Sequence, residues 1–114
     1  MAKVEKTENI MIEFSIKDRL LVMSYFLPKE GNILIMTMVN DIRSKLELTQ
    51  NEIKKYDVRE IDGGRLMWKE PTNKKQFTFS TAELEMLRSG VSKLDKNSKV
   101  TPELLSLCLV IRGK

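Results

Sequence analysis

Hydrophobic residues recur at three- and four-residue spacing in several stretches of this chain, which is the pattern of helices with one apolar face. The first helix is predicted to begin after Ser15 or Asp18, either of which can cap it, and to end in the turn at 28–31. Its apolar stripe consists of Leu20, Leu21, Met23, Phe26 and Leu27. The second helix, about 33–46, is predicted to begin after the cap Asn32. It is apolar nearly all round over its first half, so we expect it to lie at the centre of the core.

Capping sequences mark the starts of three further helices. In a capping box, a Ser or Thr and a Glu three residues later each bond the backbone N–H of the other. Two such boxes and one Thr–Pro start predict helices over about 50–56, 81–94 and 102–111, and they are Thr49 with Glu52, Ser80 with Glu83, and Thr101 with Pro102. Gly90 inside the second of these helices argues against an unbroken helix there.

Residues between the third and fourth helices alternate as in β-strands. The stretches 65–70 and 75–79 flank a turn that contains a proline, so we expect an antiparallel hairpin, with 58–61 as a candidate third strand. Residues 11–16 form either a short strand or a lead-in to the first helix.

The order of these elements predicts an α+β fold that is mainly helical. Three helices followed by a β-hairpin match the order of a winged helix, and two C-terminal helices extend it. We expect residues 1–10 to be a flexible N-terminal arm and residues 11–114 to form a single globular domain.

The composition narrows the range of functions. The 114 residues include no histidine and one cysteine, Cys108, so His-dependent catalysis, His-ligated zinc and an internal disulfide are all excluded. Cys108 lies in an apolar run and is expected to be a small buried residue. No phosphate-binding loop and no pair of carboxylates on one helix face occurs. We therefore expect a protein that is not an enzyme and that binds no cofactor and no metal.

The apolar segments are too short for a membrane span. The N-terminus is charged with mixed sign and lacks the apolar stretch of a signal peptide. The longest hydrophobic stretch, 33–39, is far shorter than the roughly 20 residues that cross a bilayer. We expect a cytoplasmic protein with no membrane partner.

Positive charge is concentrated in one segment. The net charge of the chain is +4, and between Lys54 and Lys75 seven cations outnumber four anions, a local excess of +3. The cations are Lys54, Lys55, Arg59, Arg65, Lys69, Lys74 and Lys75. In a winged helix this segment contains the recognition helix and the wing, so these residues predict a surface for DNA or RNA. The other interpretation is a solvated hairpin whose lysines protect its edges.

Three apolar residues are candidates for contact with a protein partner. Trp68, the only tryptophan, either anchors a partner or packs the hairpin onto the helices, and we favour packing. The last helix is strongly apolar and includes Leu105 and Leu109, so it docks either on the core or on a partner.

Several stretches resemble small uncharacterised proteins that bacteriophages encode. The shared features are an opening from Arg19-Leu20 to Leu27-Pro28-Lys29-Glu30-Gly31, the stretch 48–53, a central tryptophan near Trp68, and a leucine-rich C-terminal helix like 104–111. This resemblance implies a phage or prophage setting, hence the host cytoplasm, and brings no activity and no functional residue. The leading hypothesis is an accessory protein that acts through protein–protein interaction or self-assembly, and the alternative is nucleic-acid binding by the basic segment.

Overall fold

The computed structural model describes residues 10–69 and 74–113, and the predicted α+β, mainly helical fold is confirmed. The helices are α1 (Ile16–Leu21), α2 (Ile33–Leu46), α3 (Gln50–Lys55), α4 (Thr81–Lys96) and α5 (Pro102–Arg112). The strands are β1 (Ile10–Phe14), β2 (Arg59–Ile61), β3 (Arg65–Met67) and β4 (Lys75–Phe79). A π-helical segment, Val22–Phe26, continues α1 directly, and a 3₁₀ turn, Asp62–Gly64, joins β2 to β3.

The predicted helix caps are confirmed. Ser15, Thr49 and Ser80 each form a complete capping box with the acidic residue three positions later. Asn32 and Thr101 each accept a hydrogen bond from the backbone N–H three residues on. These interactions are local in sequence, so the helix starts are fixed by residues that lie within one turn of each other.

The predicted pairing of 65–70 with 75–79 is wrong. β3 pairs with β2, and β4 pairs antiparallel with β1, where Ile10 lies opposite Phe79. Gly63 and Gly64 both have a positive φ, which lets the chain reverse between β2 and β3 in three residues. Of the two alternatives for residues 11–16, a short strand or a lead-in to the first helix, the strand is correct for 11–14, which belong to β1. Ile10, assigned to the arm, is the first residue of this strand. The remaining arm residues, 1–9, and residues 70–73, which include most of the predicted turn at 71–74, lie outside the described residues.

The core lies between the β1–β4 sheet and helices α1, α2, α4 and α5. Phe14 of β1 packs against Phe77 and Phe79 of β4, with ring centroids 6.0 Å and 6.1 Å apart. Because alternate residues of a strand point to opposite sides, Ile12, Phe14, Phe77 and Phe79 all face the helices. Cys108 is buried in this core, as predicted, and burial raises the pKa of its thiol.

The position expected for α2 at the centre of the core is correct for one side of the helix, where Ile35, Met36 and Met38 also pack against the core. Val39, Ile42 and Leu46 are buried, but 87% of Ile33 and 70% of Leu34 are exposed. A helix that packs against one side of a core can bury one stripe of residues, so an all-round apolar sequence leaves the rest uncovered.

The buried stripe of the first helix also differs from the predicted one. Phe26 and Leu27 are buried, as predicted, but Leu20, Leu21 and Met23 are half-buried. The other buried residues are Ile16, Arg19 and Val22. The shift places an arginine in the interior.

Arg19 joins three helices. Its guanidinium donates to the carbonyl oxygens of Leu46 (3.0 Å) and Glu47 (2.8 Å) at the end of α2. It also donates to both carboxylate oxygens of Glu52 in α3, at 2.7 Å and 3.0 Å. Arg19 is 1% exposed, so this fork of charge-assisted bonds replaces the hydration that the guanidinium loses. The arginine therefore ties α3 to the body of the protein.

Candidate functional site

An apolar groove lies between the first half of α2 and the helix α4. We name it the α2–α4 groove, and its volume is about 890 Å³. Its apolar lining includes Tyr25, Phe26, Leu27, Ile35, Met38, Met86 and Leu94. The volume falls within the range of roughly 300–1,000 Å³ that is typical of ligand pockets.

Close contact between backbones forms one side of this groove. The helix predicted at 81–94 is α4, and it runs unbroken through Gly90, the residue that argued against its continuity. This glycine meets the end of the π-helical segment. A Cβ on Gly90 would lie 2.2 Å from the carbonyl oxygen of Phe26. The absence of a side chain therefore lets α4 approach Phe26, while α2 stays on the other side of the groove.

Charged residues surround the groove. Lys29 and Glu30 lie in the loop before α2, and Glu85 and Lys93 lie on α4. The rim thus carries two cations and two anions, and Glu85 also forms an exposed ion pair with Arg88 at 3.2 Å. A smaller depression of about 240 Å³, bounded by Tyr25 and Leu94, continues toward the start of α5.

The sequence did not predict this groove, since its residues come from three separate segments. Two signals in the sequence do relate to it. One is the run of apolar residues at the start of α2, which exceeds what one core-facing stripe needs. The other is Gly90, whose place inside a strong helical pattern is explained by close packing of a neighbouring backbone.

The seven predicted nucleic-acid-binding cations all lie on the surface, around α3 and the β2–β3 hairpin. Together they are named the basic face: Lys54, Lys55, Arg59, Arg65, Lys69, Lys74 and Lys75. The backbone N–H of Lys69 donates to the carbonyl of Tyr56 (2.8 Å), which places the end of the hairpin beside the end of α3. Arg65 lies opposite Ile61, next to the turn, and is therefore at the far end of the hairpin from α3.

Ion pairing neutralises part of the basic face. Among the described residues, Arg59 pairs with Asp57 at 3.5 Å and Lys75 with Glu52 at 4.0 Å. The Arg19 hydrogen bonds are the main cause that lowers the pKa of Glu52 from 4.5 to about 2. Glu52 is therefore ionised at all physiological pH values, and it holds α3 in place through Arg19.

The three predicted interaction residues lie in two different places. Trp68 is half-buried directly after β3, next to the half-exposed Met67. Leu105 and Leu109 are 49% and 55% exposed, one turn apart on the side of α5 that faces away from the core. The opposite side of α5, which includes Leu107 and Ile111, is buried. Leu105 and Leu109 define the outer face of α5.

Two further observations concern metals and membranes. Among residues 10–69 and 74–113, no three acidic or cysteine side chains are grouped closely enough to hold a metal ion. Across the same residues, every helix is too short or too polar to cross a bilayer.

Comparison of the chain with protein-family models, with curated proteins and with solved structures finds no match in any of the three.

Proposed function

We propose that this chain is a small, non-enzymatic accessory protein that acts by protein–protein contact. The observation that carries the proposal is the α2–α4 groove, an apolar concavity with a charged rim and large exposed side chains at its edge. Contiguous apolar surface of this kind is typical of binding sites, because a monomer gains nothing by leaving it in water. The outer face of α5, with Leu105 and Leu109, adds a second apolar surface.

The groove suits a helical or extended apolar segment better than it suits catalysis. Most of its lining is apolar, and the four charged residues among the lining are all exposed. Helix-in-groove recognition requires this arrangement, in which apolar anchors enter the groove and the rim selects the partner by charge. The phage setting remains a prediction from the sequence, and an accessory role is consistent with that setting.

A photo-reactive amino acid introduced into the full chain tests this proposal in the cells that produce it. We expect residues placed at Leu34, beside the groove, and at Leu109, on α5, to form discrete adducts on illumination. The control position is Asn40, which is exposed on α2. Mass spectrometry then distinguishes a second copy of the chain from another protein. Equal, weak cross-linking at all three positions would contradict a role in protein–protein contact.

The basic face supports a second candidate function, binding of DNA or RNA. Its seven cations are all exposed, and the Tyr56–Lys69 bond holds the hairpin against α3, as a wing lies against a recognition helix. Phosphate contact by such cations gives an affinity that falls steeply as salt rises.

A salt titration of binding to random duplex DNA and to single-stranded RNA tests this second function. The variant in which Lys54, Lys55, Lys74 and Lys75 become glutamate should bind far more weakly and lose most of its salt dependence. The matched control carries the same four changes at Lys29, Lys93, Lys96 and Lys99, which alters the net charge equally at other exposed sites. Absence of binding at low salt, or equal loss in both variants, would exclude the basic face as a nucleic-acid site.

A further inference from the structure

The start of α2 holds two large apolar side chains in water. Ile33 and Leu34 are 87% and 70% exposed. The first turn is fixed, because the backbone N–H of Ile35 donates to Oδ1 of the Asn32 cap at 2.8 Å. These two residues, named the α2 tip, are therefore presented by an ordered helix.

The α2 tip borders the α2–α4 groove. Leu34 lies one helical turn before Met38, on the same side of α2, and both Ile35 and Met38 line the groove. Tyr25, which is 55% exposed, also lines the groove. The same face of the protein thus carries apolar side chains that project and an apolar concavity.

We propose that the occupant of the groove is a second copy of this chain, in a two-fold symmetric dimer in which the α2 tip of each copy lies in the groove of the other. The inference rests on the proposed function and names its partner. In a two-fold interface, the same surface patch of each copy contacts that patch of the other copy. A face that carries both the projecting α2 tip and the groove meets this requirement. Such a contact closes on two copies and leaves neither element free to recruit a third.

The charges on the rim favour a second copy over a partner of one charge. Lys29 and Lys93 are balanced by Glu30 and Glu85 around the groove. A rim of two cations and two anions has no net charge, so a second copy meets no net repulsion there, whereas a strongly acidic or strongly basic partner would meet two like charges. A small apolar ligand would fill the groove but would leave the α2 tip in water.

Sedimentation velocity of the full chain, from low micromolar to high concentration, tests the dimer. We expect a reversible monomer–dimer equilibrium for the wild type. Leu34→Asp should weaken the dimer about 100-fold or more, because the symmetric contact loses the same central side chain twice. Leu34 is exposed in the monomer, so the variant retains its fold, which circular dichroism verifies. The control is Met11→Asp, at an apolar side chain that is 54% exposed on β1 and lies outside both proposed binding surfaces, and its dimer should be unchanged.

A second variant tests the role of the rim. Glu30→Lys combined with Glu85→Lys makes the rim entirely cationic, so the dimer should weaken and should recover as salt screens the repulsion. The inference is overturned by a monomer at all concentrations, by a dimer that survives Leu34→Asp, or by a dimer that Met11→Asp dissociates equally. A monomer that still cross-links from position 34 to another protein overturns the dimer but leaves the proposed function intact.

Discussion

Substitution of Gly90 by alanine should destabilise the protein, although alanine is the better helix former. The Cβ of the alanine would lie 2.2 Å from the carbonyl oxygen of Phe26, and 2.9 Å and 3.0 Å from its carbonyl carbon and Cα. All three atoms belong to backbone, so no side-chain rotation relieves the overlap. The neighbouring backbone must move by 1.2 Å for the 2.2 Å contact to reach 3.4 Å, where ordinary van der Waals contact begins.

The magnitude follows from two opposing effects. Replacement of a helical glycine by alanine favours the helix by about 1 kcal/mol. Overpacking in a close-packed interior costs about 1–3 kcal/mol. We expect the upper end of that range, because a displaced α4 also draws the buried side chains of Leu87 and Val91 away from the core. The free energy of unfolding should therefore fall by about 2 kcal/mol in total.

Urea denaturation followed by far-ultraviolet circular dichroism measures this change. The matched control is Ser92→Ala, two residues further along α4 at an exposed position, where the same propensity effect acts without a clash. The free energy of unfolding of the control should rise by a few tenths of a kcal/mol, which is roughly the difference in helix propensity between serine and alanine. If Gly90→Ala is as stable as the wild type or more stable, the close approach of α4 to Phe26 does not exist in solution.

Three further predictions concern the buried charges and the thiol. Because the pKa of Glu52 is lowered from 4.5 to about 2, its contribution to stability is complete above pH 4.5 and is lost as the pH falls toward 2. This shift of the pKa corresponds to at most about 3 kcal/mol of stability, which solvent at the partly exposed carboxylate reduces to about 1–2 kcal/mol. In an acid titration, Glu52→Gln should therefore lose stability less steeply than the wild type. Arg19→Leu should cost about 3–5 kcal/mol in urea denaturation, since it leaves the Glu52 carboxylate and the carbonyls of Leu46 and Glu47 without their donor. Arg19→Lys should recover little of this loss, as an ammonium cannot form the fork, and a fully stable lysine variant would contradict the geometry. The thiol of Cys108 should react slowly with a disulfide reagent in the native protein and rapidly in denaturant, and rapid labelling of the native protein would show that the thiol is accessible.

The sequence predicted the features that depend on neighbours along the chain. The capping boxes at Thr49 and Ser80 were identified because both partners lie three residues apart. The period-two pattern of Phe77 and Phe79 correctly indicated a strand. Its partner was wrong, because the hydrophobic alternation of β4 fits any strand with an apolar face, and β1 lies more than sixty residues earlier in the chain.

The candidate site was the least predictable part. Hydrophobic patterning identifies apolar residues but does not show which of them find a partner within the fold, so the exposed Ile33 was assigned to the core. The burial of Arg19 was not predicted, because charged residues are almost never fully buried unless they are paired. Its partners, Glu52 and two carbonyls of α2, come together through tertiary structure alone.

The pairing of β1 with β4 has a consequence for the order in which the chain folds. Partners in this ladder are separated by 61 residues at Phe14 and Lys75 and by 69 residues at Ile10 and Phe79. Closing a loop of this length costs conformational entropy before the strand contacts form, and this cost slows folding. During synthesis, the first strand has no partner until most of the chain has left the ribosome, so its apolar residues Ile12 and Phe14 stay exposed until then. We expect the sheet to assemble late, after the capped helices have formed locally.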